Sequence, residues 1–266
     1  MLFCRWMLIL LGLCGCSMAV ATPSPASPTS IPTEMPIPNQ ISWQTLSPGL
    51  EKRVYFPPPE NEVTKITALR IDPAVFTFRV HYHPGAPLTI RQWADALPGA
   101  VAFVNANFFD ENGNILGLLV ADGQGYGQSF VDRGGTFLVQ NGQPRVRSNI
   151  AEPYAGESFE QAVQGFPMLM LNGAQAYTDT TQDRYTRRTV IAQDSNGRIV
   201  LLVTPLIGLT LLDLSNFLPT TDMNLTNALN LDGGGSTLMY LNVGGAPEYI
   251  VSSLDPVPAV LAIYPR

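Results

Sequence analysis

Thr189-Val190-Ile191-Ala192-Gln193-Asp194-Ser195-Asn196-Gly197-Arg198-Ile199-Val200-Leu201-Leu202-Val203 is the stretch on which the fold class turns. Two short apolar runs, residues 189–192 and 199–203, flank Asp194-Ser195-Asn196-Gly197, residue types that favour a tight reversal. The pattern predicts a hairpin, with Gly197 in a structural role. Working outward, residues 63–71, 76–82 and 136–139 also alternate or run apolar between turn signals and read as strands. Helical spacing occurs at residues 89–97, after Pro87, and at residues 209–218, where Pro219 stops the turn. The order strand, helix, strand therefore recurs, but most strands follow one another through short turns. The expectation is an α+β domain, a strand-rich mixed sheet with a few inserted helices, rather than a doubly wound fold.

Residues 41–266 carry this pattern as one domain, since no charge run or second proline-rich stretch divides them. Residues 16–40 hold Pro23, Pro25, Pro28, Pro32, Pro36 and Pro38 among Ser, Thr and Ala, a composition that cannot bury a core and favours extended chain. They read as a tether. Residues 1–15 open with Arg5 and then Met7-Leu8-Ile9-Leu10-Leu11, too short for a permanent membrane span, and read as a signal peptide. Leu13-Cys14-Gly15-Cys16 resembles a bacterial lipobox. That resemblance implies cleavage before Cys16, acylation of its thiol, and a domain held outside the cytoplasm at the bacterial cell envelope; an ordinary signal peptide with incidental cysteines is the alternative.

Elimination narrows the chemistry. Cys4, Cys14 and Cys16 are all the cysteines, so the domain has no thiol for a disulfide, a zinc site or a nucleophile. His81 and His83 are its only histidines, which disfavours a Ser-His-Asp site or a multi-histidine metal centre. Two apart in a strand, they share a face and stand either as a metal pair or as a solvated one. The net charge of −6, without a Lys/Arg patch, gives no footprint for nucleic acid.

Four constellations remain. Asn227-Ala228-Leu229-Asn230-Leu231-Asp232-Gly233-Gly234-Gly235-Ser236-Thr237 is a strand ending in a carboxylate, three glycines and two hydroxyls. Such a loop can cradle phosphate on exposed N–H groups, or be a flexible turn. Asn105, Asn107 and Asp110 lie at the end of the apolar run that begins at Val101, and the two amides share one face. They are either hydrogen-bonded links or the lining of a pocket for sugar hydroxyls. Arg184, Arg187 and Arg188 form a basic cluster before the strand at Thr189. Arg187 and Arg188 face opposite ways in a strand, so at most one enters a site, as a fork for phosphate oxygens. Gln164-Gly165-Phe166-Pro167 is a turn between apolar segments and carries little alone.

Taken in order, these segments resemble the phosphodiester glycosidase family over residues 100–266. Residues 105–110 resemble its Asn-Gly-Gly-Phe-Phe segment, residues 164–169 its Gln-x-x-Pro segment, and Arg188 its arginine before a strand. Residues 230–237 closely match its Leu-Asp-Gly-Gly-Gly-Ser signature, and Asp122-Gly123 stands where the family has an acidic-Gly turn. Ala106 and Asn107 replace the paired glycines and Phe166 replaces a frequent glycine, which bears on pocket shape and substrate. The resemblance implies hydrolysis of a sugar-1-phosphodiester, between anomeric carbon and phosphate, in envelope or extracellular glycans. Asp232 would be the catalytic carboxylate, with Arg188 and the loop Gly233, Gly234, Gly235, Ser236 and Thr237 holding phosphate. Asn105, Asn107 and Asn230 would orient the sugar. A phosphate monoester leaves readily, so the demand falls on stabilising charge and on activating water or forming a glycosyl intermediate. The expected partners are a glycan or sugar-phosphate substrate and the membrane reached through the anchor. No cofactor is assigned, although Asp232 and Asp110 could hold a divalent cation such as calcium. A surface lipoprotein that binds glycan or phosphate without cleaving it is the alternative reading.

Overall fold

The computed structural model describes residues 42–266 apart from Gln182 and Leu206. The signal segment, Cys16 and the tether at residues 16–40 lie outside the described residues. In chain order the strands begin with β1 (Gln44–Ser47), β2 (Leu50–Tyr55), β3 (Ile66–Ile71) and β4 (Phe76–Tyr82), followed by helix α1 (Ile90–Ala96). Next come β5 (Ala102–Asn105), β6 (Leu119–Ala121), β7 (Gln124–Tyr126), β8 (Gly135–Gln140), β9 (Gln143–Ser148), β10 (Gln161–Gly165), β11 (Met168–Leu171) and β12 (Ala174–Gln175). The chain closes with β13 (Thr189–Asp194), β14 (Ile199–Val203), helix α2 (Leu211–Phe217), β15 (Leu225–Asn230), β16 (Met239–Val243), β17 (Ala246–Val251) and β18 (Ala259–Pro265).

The strands form an eight-stranded sheet, β1-β2-β3-β14-β13-β15-β11-β12, and two five-stranded sheets, β7-β6-β10-β8-β9 and β17-β16-β5-β18-β4. The strand-rich α+β class with few helices is as the sequence led one to expect. The mixed sheet is corrected to three sheets whose pairings among the described residues are antiparallel, and the reason lies in the crossovers. Helix α1 connects β4 to β5, yet β18 runs antiparallel between them. Helix α2 likewise connects β14 to β15, with β13 between them. Each helix thus joins two strands of like direction that never touch.

The hairpin at residues 189–203 forms, pairing Val190 with Leu202 and Ala192 with Val200. The Asp194 carboxylate accepts the Asn196 and Arg198 N–H groups, and Gly197 has φ +81°. Alternation explains why both strands read as unbroken apolar runs. Ile191, Ile199, Leu201 and Val203 enter a core shared with Phe78, Val104, Phe137 and Leu261, so all three sheets contribute to it. Val190, Ala192, Val200 and Leu202 point the other way, into a layer closed by Leu214 of α2. On the second sheet Ala102 and Val104 face the shared core, whereas Phe103 packs with Trp93 of α1.

Helix α1 starts after Thr89 as the spacing predicts, whereas α2 starts at Leu211, two residues after the expected start at 209, because Thr210 is spent as its cap. Thr89 caps α1 in a reciprocal arrangement with Gln92, and Thr210 Oγ1 accepts the Asp213 N–H at 3.0 Å in α2. β3 begins at Ile66 rather than at residue 63, because Thr64 is spent on a turn, its hydroxyl donating to Pro57 O at 2.7 Å. No described helix is long and apolar enough to cross a membrane.

Candidate functional site

The glycine-rich segment is a corner: the chain leaves β15 in the eight-stranded sheet, turns through residues 231–238, and enters β16 in another sheet. Backbone bonds pin the corner to both sheets. Leu231 N–H donates to Thr189 O at 2.9 Å and Asp232 N–H to Ala106 O at 3.2 Å. Asn105, buried at the end of β5, completes the joint. Its Nδ2 donates to Asp232 O at 2.6 Å, and its Oδ1 accepts from Thr189 Oγ1 at 2.6 Å and from Leu238 N–H at 3.1 Å. Of the two readings open for this amide, the hydrogen-bonded link describes its contacts.

The Asp232 carboxylate accepts the Gly233 N–H at 2.8 Å and a hydrogen bond from Ser236. Burial pushes its carboxyl up to about 6, the neighbouring Asp255 charge adds to that, and the two hydrogen bonds pull it back only in part.

The three glycines are explained by crowding. Gly234 has φ +62°, a Cβ on Gly233 would lie 2.7 Å from Arg187 O, and a Cβ on Gly235 would overlap the Asp255 carboxylate. The expected phosphate nest is largely closed from within. Gly233 N–H serves Asp232, Gly234 N–H donates to Arg187 O at 2.8 Å, and the Ser236 and Thr237 N–H groups donate to Gly233 O and Gly234 O.

The arginines divide as strand alternation requires, Arg187 turning to the corner and Arg188 away from it. Arg187 meets the corner, its Nε donating to Gly234 O at 2.8 Å, Nη2 to Gly235 O at 2.9 Å and Nη1 to Ser252 O at 2.9 Å. Arg188, expected to hold phosphate, points to the layer of α2. Its Nε donates to Leu209 O at 2.9 Å and its Nη2 to Arg184 O at 2.7 Å, beside Asp183 at 3.3 Å. No hydrogen bond joins Arg188 to Asp232 among the described residues, because the flanking chain supplies this guanidinium with closer acceptors.

Asn107 Nδ2 donates to Leu118 O at 3.0 Å, and Asn230 Nδ2 to Phe166 O at 2.9 Å. Asn107 Oδ1, Asn230 Oδ1 and Thr237 Oγ1 are buried without a hydrogen-bond partner in the protein. Phe108 stacks on Phe166 at 4.6 Å, so the residue at the family's frequent glycine position builds an aromatic wall beside Asn230. Gln164, weak as a sequence signal, is a buried hub: its Oε1 accepts the Leu118 and Phe130 N–H groups, and its Nε2 donates to Ser129 and Thr136 hydroxyls.

Asp110 has partners of its own. Its oxygens accept the Asn112 and Asn114 N–H groups and the Asn114 amide, and these bonds hold its carboxyl below the usual range. Among the described residues there is no group of three or more His, Cys, Asp or Glu that could hold a metal. His81 meets the Tyr264 hydroxyl at 2.9 Å and His83 lies edge-on to Trp93, so the two imidazoles serve different partners. Asp122 of the acidic-Gly turn pairs with Arg79 at 2.6 Å on the wall of a cavity of about 750 Å³, whose lining contains none of the residues 227–237.

Sequence reasoning missed Asp255, whose local signal was one acidic residue in the loop Ser252-Ser253-Leu254-Asp255-Pro256. It weighed Arg187 and preferred its neighbour; the direction of alternation at a strand end had no marker in the sequence.

No curated protein matches the chain. Among solved structures, it resembles the catalytic domain of zebrafish N-acetylglucosamine-1-phosphodiester alpha-N-acetylglucosaminidase, auto-inhibited by its pro-peptide, with a TM-score of 0.63 and 21% identity. That match covers 83% of this chain and 85% of the other. A hypothetical protein from Synechocystis matches with a TM-score of 0.55 and 17% identity over 82% of this chain and 62% of that one. At such identities the likeness is one of fold. The family model described as phosphodiester glycosidase matches residues 98–264, a span that takes in all four motif segments. Together with the shared fold, that match means the chain belongs to the phosphodiester glycosidase family, hydrolases of phosphodiester-linked sugars.

Proposed function

We propose that the chain is an exported lipoprotein that hydrolyses a sugar-1-phosphodiester in envelope or extracellular glycans, with Asp232 as its catalytic carboxylate. The observation that carries this reading is Asp232 itself: a carboxyl raised to about 6 by burial, at the corner between two sheets, with its backbone held by Asn105 and its side chain by Ser236 and Gly233. A carboxyl of that kind exchanges a proton near neutrality, which suits acid, base or nucleophile work at an anomeric carbon. Asn107 Oδ1 and Asn230 Oδ1 are acceptors without a partner in the protein, suited to sugar hydroxyls, and the Thr237 hydroxyl can donate to a sugar or phosphate oxygen. Ser236 orients Asp232, and Arg187 takes the place at the corner that Arg188 was expected to fill.

The test is a panel of sugar-1-phosphodiesters offered to the purified protein and to Asp232→Asn, which keeps shape and removes charge. Turnover should fall on the order of 10²-fold or more, with folding retained. Equal turnover by the variant would remove Asp232 from the chemistry. Binding of a panel member by the wild type with no cleavage of any would make the chain a glycan-binding lipoprotein instead.

A further inference from the structure

We propose that Asp255 is the second carboxylate of the site, seated over the glycine corner by Arg187 and acting on the reaction through Asp232. The proposal rests on the catalytic reading of Asp232, and it assigns a residue that lies outside every motif of the chain.

The geometry begins with the short 3-10 turn Gly234–Ser236. Asp232 flanks it on one side, bonded by Ser236 from within the turn. The loop at residues 252–255 packs on the turn at Gly235. Leu254 N–H donates to Gly235 O at 2.7 Å and Asp255 N–H to the same oxygen at 3.3 Å. Arg187 then ties turn and loop into one unit, since one guanidinium holds Gly234 O and Gly235 O of the turn and Ser252 O of the loop. The five N–H groups of this planar fork make it a rigid spacer between the two segments.

The result is that the Asp255 carboxylate fills the space a side chain at position 235 would need, its Oδ2 lying where the Cβ would be built. Gly235 is therefore glycine for a reason distinct from backbone conformation: any side chain there would evict Asp255. The residue itself is exposed, and so is Leu254 beside it, so the loop holds a charged group at the solvent side of the corner rather than filling a core.

A charge in that position acts on the groups around it. The groups that face Asp232 are the Asp255 charge, the Ser236 hydroxyl and the Gly233 N–H, while the Arg187 guanidinium is turned to the backbone carbonyls. Asp255 opposes ionisation of Asp232 and favours the charge on Arg187. Asp255 is thus a positioning residue: it does not need to touch the substrate to set the pH at which Asp232 gives up its proton.

The experiment is a carboxyl-carbon NMR titration of Asp232 in the folded full-length protein and in Asp255→Asn and Asp255→Glu. Removing the charge should lower the Asp232 midpoint by about 0.5–1 pH unit, and the glutamate should restore most of it. Asp255→Ser provides a second uncharged variant if the asparagine one does not fold. On a substrate that the wild type cleaves, the pH limb of kcat governed by Asp232 should move down by the same amount in Asp255→Asn, with KM little changed. A merely structural role for Asp255 would lower stability and leave the midpoint where it was, and an unmoved midpoint overturns the proposal. If the wild type cleaves no sugar-1-phosphodiester, the functional reading fails by itself, and the titration still decides whether the two carboxylates are coupled.

Discussion

Asp232 and Asp122 show the two directions in which a fold can move a carboxyl. Asp122 is held below the ordinary range chiefly by the Arg79 guanidinium, whereas burial drives Asp232 from 3.8 to about 6. For Asp232 the folded protein holds the proton more tightly than the unfolded chain does. Its contribution is therefore fully favourable below the unfolded value near 3.8 and is lost as the pH rises through about 6. A shift of this size corresponds to on the order of 1–3 kcal/mol. Asp232→Asn should therefore match the wild type in urea denaturation near about pH 4 and exceed it by that amount above about pH 7. A stability difference that does not change with pH would mean that Asp232 is not raised at all.

Elements are tied together through side chains that no periodicity announces. The N-terminus of α2 is held by Asp183, whose oxygens accept the Leu211 N–H at 2.8 Å and the Leu212 N–H at 2.7 Å, with Arg188 as the countercharge. The Asp183 side chain is only 5% exposed. Removing one member of a buried pair leaves the other without its partner, which costs more than the pair contributes. Arg188→Met should thus destabilise the protein by about 2–4 kcal/mol, seen as a fall in melting temperature, while the fraction still folded keeps its kcat. A variant that melts with the wild type but loses its turnover would return Arg188 to the phosphate role first expected of it.

For the whole molecule, three sheets share one core, and the glycine corner is where the chain passes from the largest sheet to another. On the lipoprotein reading, Cys16 of Leu13-Cys14-Gly15-Cys16 would carry the attachment. Cys16→Ser should move the protein from the membrane fraction to the soluble fraction and abolish acylation in mass spectrometry, with no change in the melting temperature of the domain. A wild-type protein found soluble and unacylated would end the lipoprotein reading.

The sequence by itself determined the elements, because their signals are local. The hairpin at residues 189–203, β4 at Phe76–Tyr82 and the two short helices all follow from alternation, turn chemistry and helical spacing within a few residues. It also singled out Asp232 and its glycines, since three consecutive glycines after a carboxylate have few local explanations. What lay between sequentially distant segments was left to the tertiary structure. That β18 and β13 would insert between strands joined by helices depends on pairings about 180 residues apart in the first case, and turns an expected mixed sheet into antiparallel ones. Whether Arg187 or Arg188 would meet the corner depended on which face of β13 turned toward it, and a one-residue change of phase reverses the answer. Asp255 was invisible for the same reason: its meaning comes from Gly235, and only the folded chain brings that backbone within reach of its carboxylate.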